Sequence, residues 1–218
     1  MKGLLVKDFC IMKLQKTFFI MIFVMALVFA WSFKNPSYMV SFLTFISSIF
    51  VLTTISYDEF DNGYTFLFTL PVSRRIYVLE KYVFGLILGA GTWCVCTVIA
   101  AICAAVTGYA SLNMEWLVSY LIYLGFVLLI VSVTVPTQLK FGGDRGRLGL
   151  ILTLGGIFLI GYGCVWGLKK LGINVEEVLD SAAAGGIAAF FGICFLVLFL
   201  VLGISCLISV RIMENKEL

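Results

Sequence analysis

The chain has 218 residues, 62% of them hydrophobic and 12% charged, with a formal net charge of +3 and no histidine. A soluble domain carries about 25% charged residues and could not cover this much apolar surface, so a water-soluble fold is excluded. Acid–base and metal chemistry are left almost no groups to work with.

Residues 1–16 interleave Lys2, Lys7, Lys13 and Lys16 with Leu4, Leu5, Val6, Phe9, Ile11, Met12 and Leu14. This pattern predicts a helix lying at the inner membrane surface with its lysines reaching to the head groups; a plain positive flank fits equally well. Asp8 and four lysines precede the first apolar run and no small-residue cleavage pattern follows it, so a cleavable signal peptide is not expected.

Six apolar runs follow, at 17–33, 38–57, 82–107, 116–136, 149–168 and 185–210, which are 17 to 26 residues long. Helices of that length cross roughly 30 Å of hydrocarbon. The runs lack the period-two alternation of barrel strands, so the backbone must satisfy its own hydrogen bonds as helices. The expected fold class is an all-α integral membrane protein of six transmembrane helices forming one transmembrane domain over 1–218.

The charges set an orientation. With the N-terminus inside, Lys2, Lys7, Lys13, Lys16, Arg74, Arg75, Lys81, Lys140, Arg145, Arg147, Arg211 and Lys216 are cytoplasmic, against Lys34, Lys169 and Lys170 outside. Both termini are therefore expected in the cytoplasm. The net positive charge is this excess, and no nucleic-acid partner is expected. The outer loops at 34–37, 108–115 and 169–184 are too short for a folded domain; the last, with Glu176, Glu177 and Asp180, fits a short surface helix.

The cytoplasmic segment 58–81 carries more pattern than a connector needs. Asn62-Gly63 marks a turn, 64–70 can form two helical turns, Pro71 ends them and Ser73 is placed to N-cap the next helix. Asp58, Glu59 and Asp61 lie beside Arg74 and Arg75, where solvated ion pairs are the simplest expectation. Phe60, Tyr64, Phe66 and Phe68 need cover, from the membrane interface or from a partner protein. A second cytoplasmic segment, 136–147, holds Lys140, Phe141, Gly142, Arg145 and Arg147 and reads as a basic hinge.

Cysteines 10, 94, 96, 103, 164, 194 and 206 fall almost entirely within spans and read as packing residues. Cys94 and Cys96 point to different helix faces, and no metal site is expected. Gly85 with Gly89 and Gly163 with Gly167 have the spacing that lets two helices approach closely. No span carries a charge away from its ends, which disfavours ion-coupled transport. No GxxxxGK[ST] loop is present, so ATP hydrolysis by this chain is not expected.

Three segments together carry a resemblance: Met1-Lys-Gly-Leu-Leu-Val-Lys-Asp-Phe9; Tyr57-Asp-Glu-Phe-Asp-Asn-Gly63 with Leu70-Pro-Val-Ser-Arg-Arg75 and Glu80-Lys-Tyr82; and Lys140-Phe-Gly142 with Gly146-Arg147. In this order, over the whole chain, they resemble the small type-2 ABC transporter permeases of bacteria, a family that includes exporters of phenol-soluble modulins and antimicrobial peptides. The resemblance implies a permease in the bacterial cell membrane that pairs with a second copy or a sister permease and binds two separate ATPase subunits. ATP and Mg would be held by those partners, with no cofactor on this chain.

The segment after the second span would be a coupling helix touching the ATPase through Asp58, Glu59, Phe60, Asn62, Gly63, Tyr64, Phe66, Leu70, Pro71, Ser73, Arg74 and Arg75. Lys140, Phe141, Gly142, Arg145 and Arg147 would be a second contact with the ATPase or lipid. The expected function is ATP-driven export of amphipathic or hydrophobic peptides or similar compounds by alternating access. The alternative is an ATP-independent facilitator or scaffold whose aromatic segment lies on lipid.

Overall fold

A computed structural model describes residues 1–33, 35–60, 63–107, 114–142, 187–216 and scattered positions between 151 and 170. Seven helices run through them: α1 (Lys2–Leu14), α2 (Lys16–Ser32), α3 (Ser37–Glu59), α4 (Gly63–Leu67), α5 (Arg74–Thr107), α6 (Met114–Phe141) and α7 (Ile187–Glu214). Among the described residues there is no strand, as expected for a chain whose backbone must satisfy itself in lipid.

Helices α3, α5, α6 and α7 are each long and apolar enough to cross a membrane. The pair α1 and α2, bent by 65° at Gln15, brings the number of candidate spans to at most five. The predicted span at 149–168 falls largely outside the described residues, so the chain is a multi-pass membrane protein with four to five candidate spans among those described.

Helix α3 is the hub, packing on α2, α5 and α6, while α7 closes against α5 and α6. Its buried face carries Ser47, Ser48 and Thr54 among apolar residues. Each hydroxyl donates to a carbonyl one turn back: Ser47 and Ser48 to Thr44 at 3.1 and 2.7 Å, Thr54 to Val51 at 2.9 Å. Small side chains that hide their polarity in this way let helices come close. Gly85 and Gly89 of α5 use that space. A Cβ at Gly89 would sit 2.5 Å from Val127 Cγ1 of α6 and 2.8 Å from Ser48 Oγ of α3. This glycine pair is a packing site within the chain, whereas a Cβ at Gly163 or Gly167 would meet nothing within 4 Å among the described residues.

One helix boundary falls where it was expected and one does not. Helix α5 begins at Arg74, ahead of the apolar run at 82–107, directly after its expected cap: Ser73 Oγ accepts from Ile76 N at 3.3 Å. Helix α6 does not stop at Pro136 but continues to Phe141. Pro136 has no N–H to give to the carbonyl of Ser132, four residues earlier. That carbonyl is satisfied instead from α7, where Ser205 Oγ donates to it at 2.5 Å. Ser205 and Ser209 in turn bond the Tyr82 hydroxyl of α5 at 2.6 and 2.8 Å. The proline thus frees an acceptor that ties three helices together inside the apolar layer.

Candidate functional site

The α1/α4 end of the bundle gathers most of the residues singled out in the sequence, and it is organised around a buried cation. Lys81 of α5 is fully buried, with Nζ 2.5 Å from Asp8 Oδ2 of α1 and 2.8 Å from Asp58 Oδ2 of α3. Lys7 pairs with Asp58 from the other side, and the Tyr77 hydroxyl donates to Asp58 Oδ2 at 3.1 Å. Lys81 also reaches Thr54 Oγ1 at 3.4 Å. Glu80, buried beside it, lies 3.7 Å from the Lys81 ammonium.

The cluster follows from helical register. Leu4 and Asp8, Thr54 and Asp58, and Tyr77 and Lys81 are three i, i+4 pairs, and residues at that spacing lie on one helix face. Each pair puts a charge one turn from a buried neighbour, and three helices bring their charges to one point. A buried charge is tolerated only when paired and hydrogen-bonded, and these partners come from three separate elements.

This arrangement corrects the expectation of solvated pairs between the Asp58, Glu59 and Asp61 group and Arg74 and Arg75. Asp58 is inside the protein, and Asp61 and Asn62 lie outside the described residues. Glu59 pairs with Lys216 at 2.8 Å. The arginines hold the end of α7 instead: Arg74 donates to the carbonyls of Met213, Glu214 and Lys216 at 3.0, 2.7 and 3.0 Å, and Arg75 meets Glu214 at 2.6 Å. The C-terminal carbonyls of a helix carry partial negative charge and lack internal donors, so a guanidinium is a natural cap.

Helix α4 is one turn rather than two, with Phe68 and Thr69 in a turn after it. Gly63 is needed at its start, where a Cβ would come within 2.6 Å of the Asp58 carbonyl oxygen. Its aromatic residues divide. Tyr64 is buried against Tyr77 (centroids 5.7 Å) and beneath Lys216 (4.7 Å), and burial pushes its phenol above the ordinary value. Phe68 packs on Tyr77 and under Arg74. Phe60 and Phe66 are each 72% exposed, with Leu70, Pro71, Ser73 and Arg75 also at the surface.

The second predicted contact is partly on this same end. Gly142 ends α6 at φ +64°, donating its N–H to Gln138 O at 2.8 Å, and a side chain there would run into the Glu59 carboxylate. Lys140 and Phe141 are exposed neighbours, and Arg145 and Arg147 lie outside the described residues.

The site is an internal ionic knot joining α1, α3 and α5, with Phe60 and Phe66 exposed at the same end of the bundle. Sequence reasoning missed Lys7, Asp8, Tyr77 and Lys81 as one unit. The available signal was an aspartate four residues after Leu4 in an otherwise lysine-rich helix. Residues 3–214 match the family described as ABC-2 family transporter protein. No curated protein and no solved structure matches the chain significantly.

Proposed function

Since the chain belongs to the ABC-2 family of transporter proteins, we propose that it is the permease subunit of an ATP-driven exporter and carries amphipathic or hydrophobic peptides or similar compounds. Members of this family are membrane transport components that work with ABC ATPase partners. In this reading the α1/α4 end faces the cytoplasm of a bacterial cell. Two ATPase subunits holding ATP and Mg dock there, one on each copy of a permease dimer, and the chain itself binds no nucleotide.

The observation that best supports this reading is the division of aromatic residues around α4. Tyr64 and Phe68 fix the helix to the bundle, while Phe60 and Phe66 project from a platform that the buried Lys81 knot holds still. Covering two such phenylalanines on a partner is worth about 1.5 to 3 kcal/mol each. Because α4 is joined to the ends of α3 and α5, movement of the ATPases would be passed directly into the bundle.

The test is co-purification with the candidate ATPase, comparing wild type with Phe66→Asp and with Phe60→Asp plus Phe66→Asp. Loss of the complex, with the variants still monodisperse and folded, supports the docking role. An intact complex, or no ATPase bound to the wild type, moves the facilitator or scaffold reading ahead.

A further inference from the structure

Glu80 is a buried carboxyl that the pairs of the knot leave over. It stands one turn before Phe84 on the face of α5 that α1 covers, where the Phe84 ring meets Phe9 edge to face at 5.4 Å. Its side chain is closed to solvent, and neither carboxyl oxygen has a hydrogen-bond partner among the described residues. The Lys81 ammonium, at 3.7 Å, is too far for a hydrogen bond and is already held by Asp8 and Asp58 at 2.5 and 2.8 Å.

The charges around Glu80 do not balance. Those that act on it are Lys7 and Asp8 of α1, Asp58 of α3 and its own neighbour Lys81. With Glu80 ionised, three carboxylates would share two ammonium groups, and the side chains of Asp8, Glu80 and Lys81 are all shut off from water. A buried carboxyl in that position sheds its charge by taking up a proton. The same cluster holds an acceptor without a donor, Asp8 Oδ1, and a protonated carboxyl has an O–H to give.

We propose that Glu80 is a proton-binding site: with the knot closed it is a neutral acid, and loss of its proton as the pH rises loosens the hold of α3 and α5 on α1. Protonation leaves two ammonium groups facing two carboxylates. Glu80 lies ahead of the apolar run at 82–107, at the end of the bundle where α1 and α4 gather. Burial pushes its carboxyl up to about 7, with Lys81 opposing the rise and Asp8 adding to it. Such a group keeps its proton in the folded chain at a pH where the unfolded chain has lost it. The stability it contributes is therefore complete below the ordinary value of about 4.3 and is lost as the pH rises through about 7. Proton binding here is independent of what the chain transports.

The test follows the thermal unfolding midpoint of the full chain in detergent from about pH 6 to about pH 9, for wild type and Glu80→Gln, the uncharged isostere of the neutral acid. The wild-type midpoint is expected to fall by about 5 °C over that range. Glu80→Gln should match wild type at the acid end, change less with pH and exceed wild type at the alkaline end. Infrared spectra of chain labelled with carbon-13 at the glutamate carboxyls read the proton directly: a carboxylic C=O band present at the acid end, gone at the alkaline end and missing from Glu80→Gln.

The proposal is overturned if Glu80→Gln keeps the wild-type dependence on pH, since another group would then be titrating. It is also overturned if Glu80→Gln is destabilised equally at both ends of the range, which would mean that the negative charge itself holds the knot. Should Glu80→Gln not fold, the labelled wild-type spectrum decides alone, and the absence of a band that titrates over this range rejects the site.

Discussion

The two ends of this bundle solve the same problem, joining helices inside an apolar layer, by opposite means. At the α1/α4 end, Lys81, Asp8, Asp58, Lys7 and Tyr77 make directional, short-range pairs that fix three helices in one geometry. At the α2–α3 turn, aromatic residues pack around a space, and the bonds between helices are neutral: 2.8 Å from Trp93 Nε1 to Tyr120 O and a 3.4 Å contact between Ser37 and Tyr120. Charges specify a position; rings tolerate several.

The largest test of this contrast is Lys81→Met, which leaves Asp8 and Asp58 buried without their shared cation. Removing one partner from such a group costs about 3 to 5 kcal/mol. A large fall in the thermal unfolding midpoint in detergent is expected, and a change within error would mean that the knot does not hold the fold.

The next concerns the waist between the two ends. Gly89→Ala drives a methyl into Val127 and Ser48 and should lose about 1 to 3 kcal/mol. Gly91→Ala on the same helix meets nothing within 4 Å among the described residues and should gain up to about 1 kcal/mol from helix propensity. Equal effects at the two positions would deny the close approach.

The smallest compares two hydroxyls. Tyr77→Phe removes a bond to a buried carboxylate and should lose about 1.5 to 3 kcal/mol at most, by the same unfolding measurement. Thr44→Val removes a hydroxyl that bonds nothing among the described residues and should leave stability unchanged or slightly raised. If both lose equally, the ends do not differ as described.

Much of the scaffold was legible because it depends on local rules. Composition and run length gave an all-helical membrane protein, Ser73 was recognisable as a cap, and Gly85 and Gly89 as a place of close approach. Pro136 misled, because a helix boundary was inferred where α7 supplies the lost bond from 73 residues away. The Lys81 knot was hidden for the same reason: Asp8 and Lys81 are 73 positions apart, and nothing local says that two faces will meet. Asp58 looked like a surface acid because its neighbours Glu59 and Asp61 are acidic too. The aromatic cavity was invisible, since in a chain this rich in phenylalanine no spacing separates residues that line a space from those that face lipid.

Helix α5 spans 34 residues, about 51 Å. Gly89, where it touches both α3 and α6, lies near its middle, about 22 Å from Arg74 and about 27 Å from Thr107. A rigid rod pressed most closely at one point near its centre has a natural fulcrum there. Were α5 to rock about Gly89, a 1 Å inward push at Arg74 would become an outward swing of about 1.2 Å at Thr107, and the Lys81 knot, which lies on the Arg74 arm, would be the contact that has to yield.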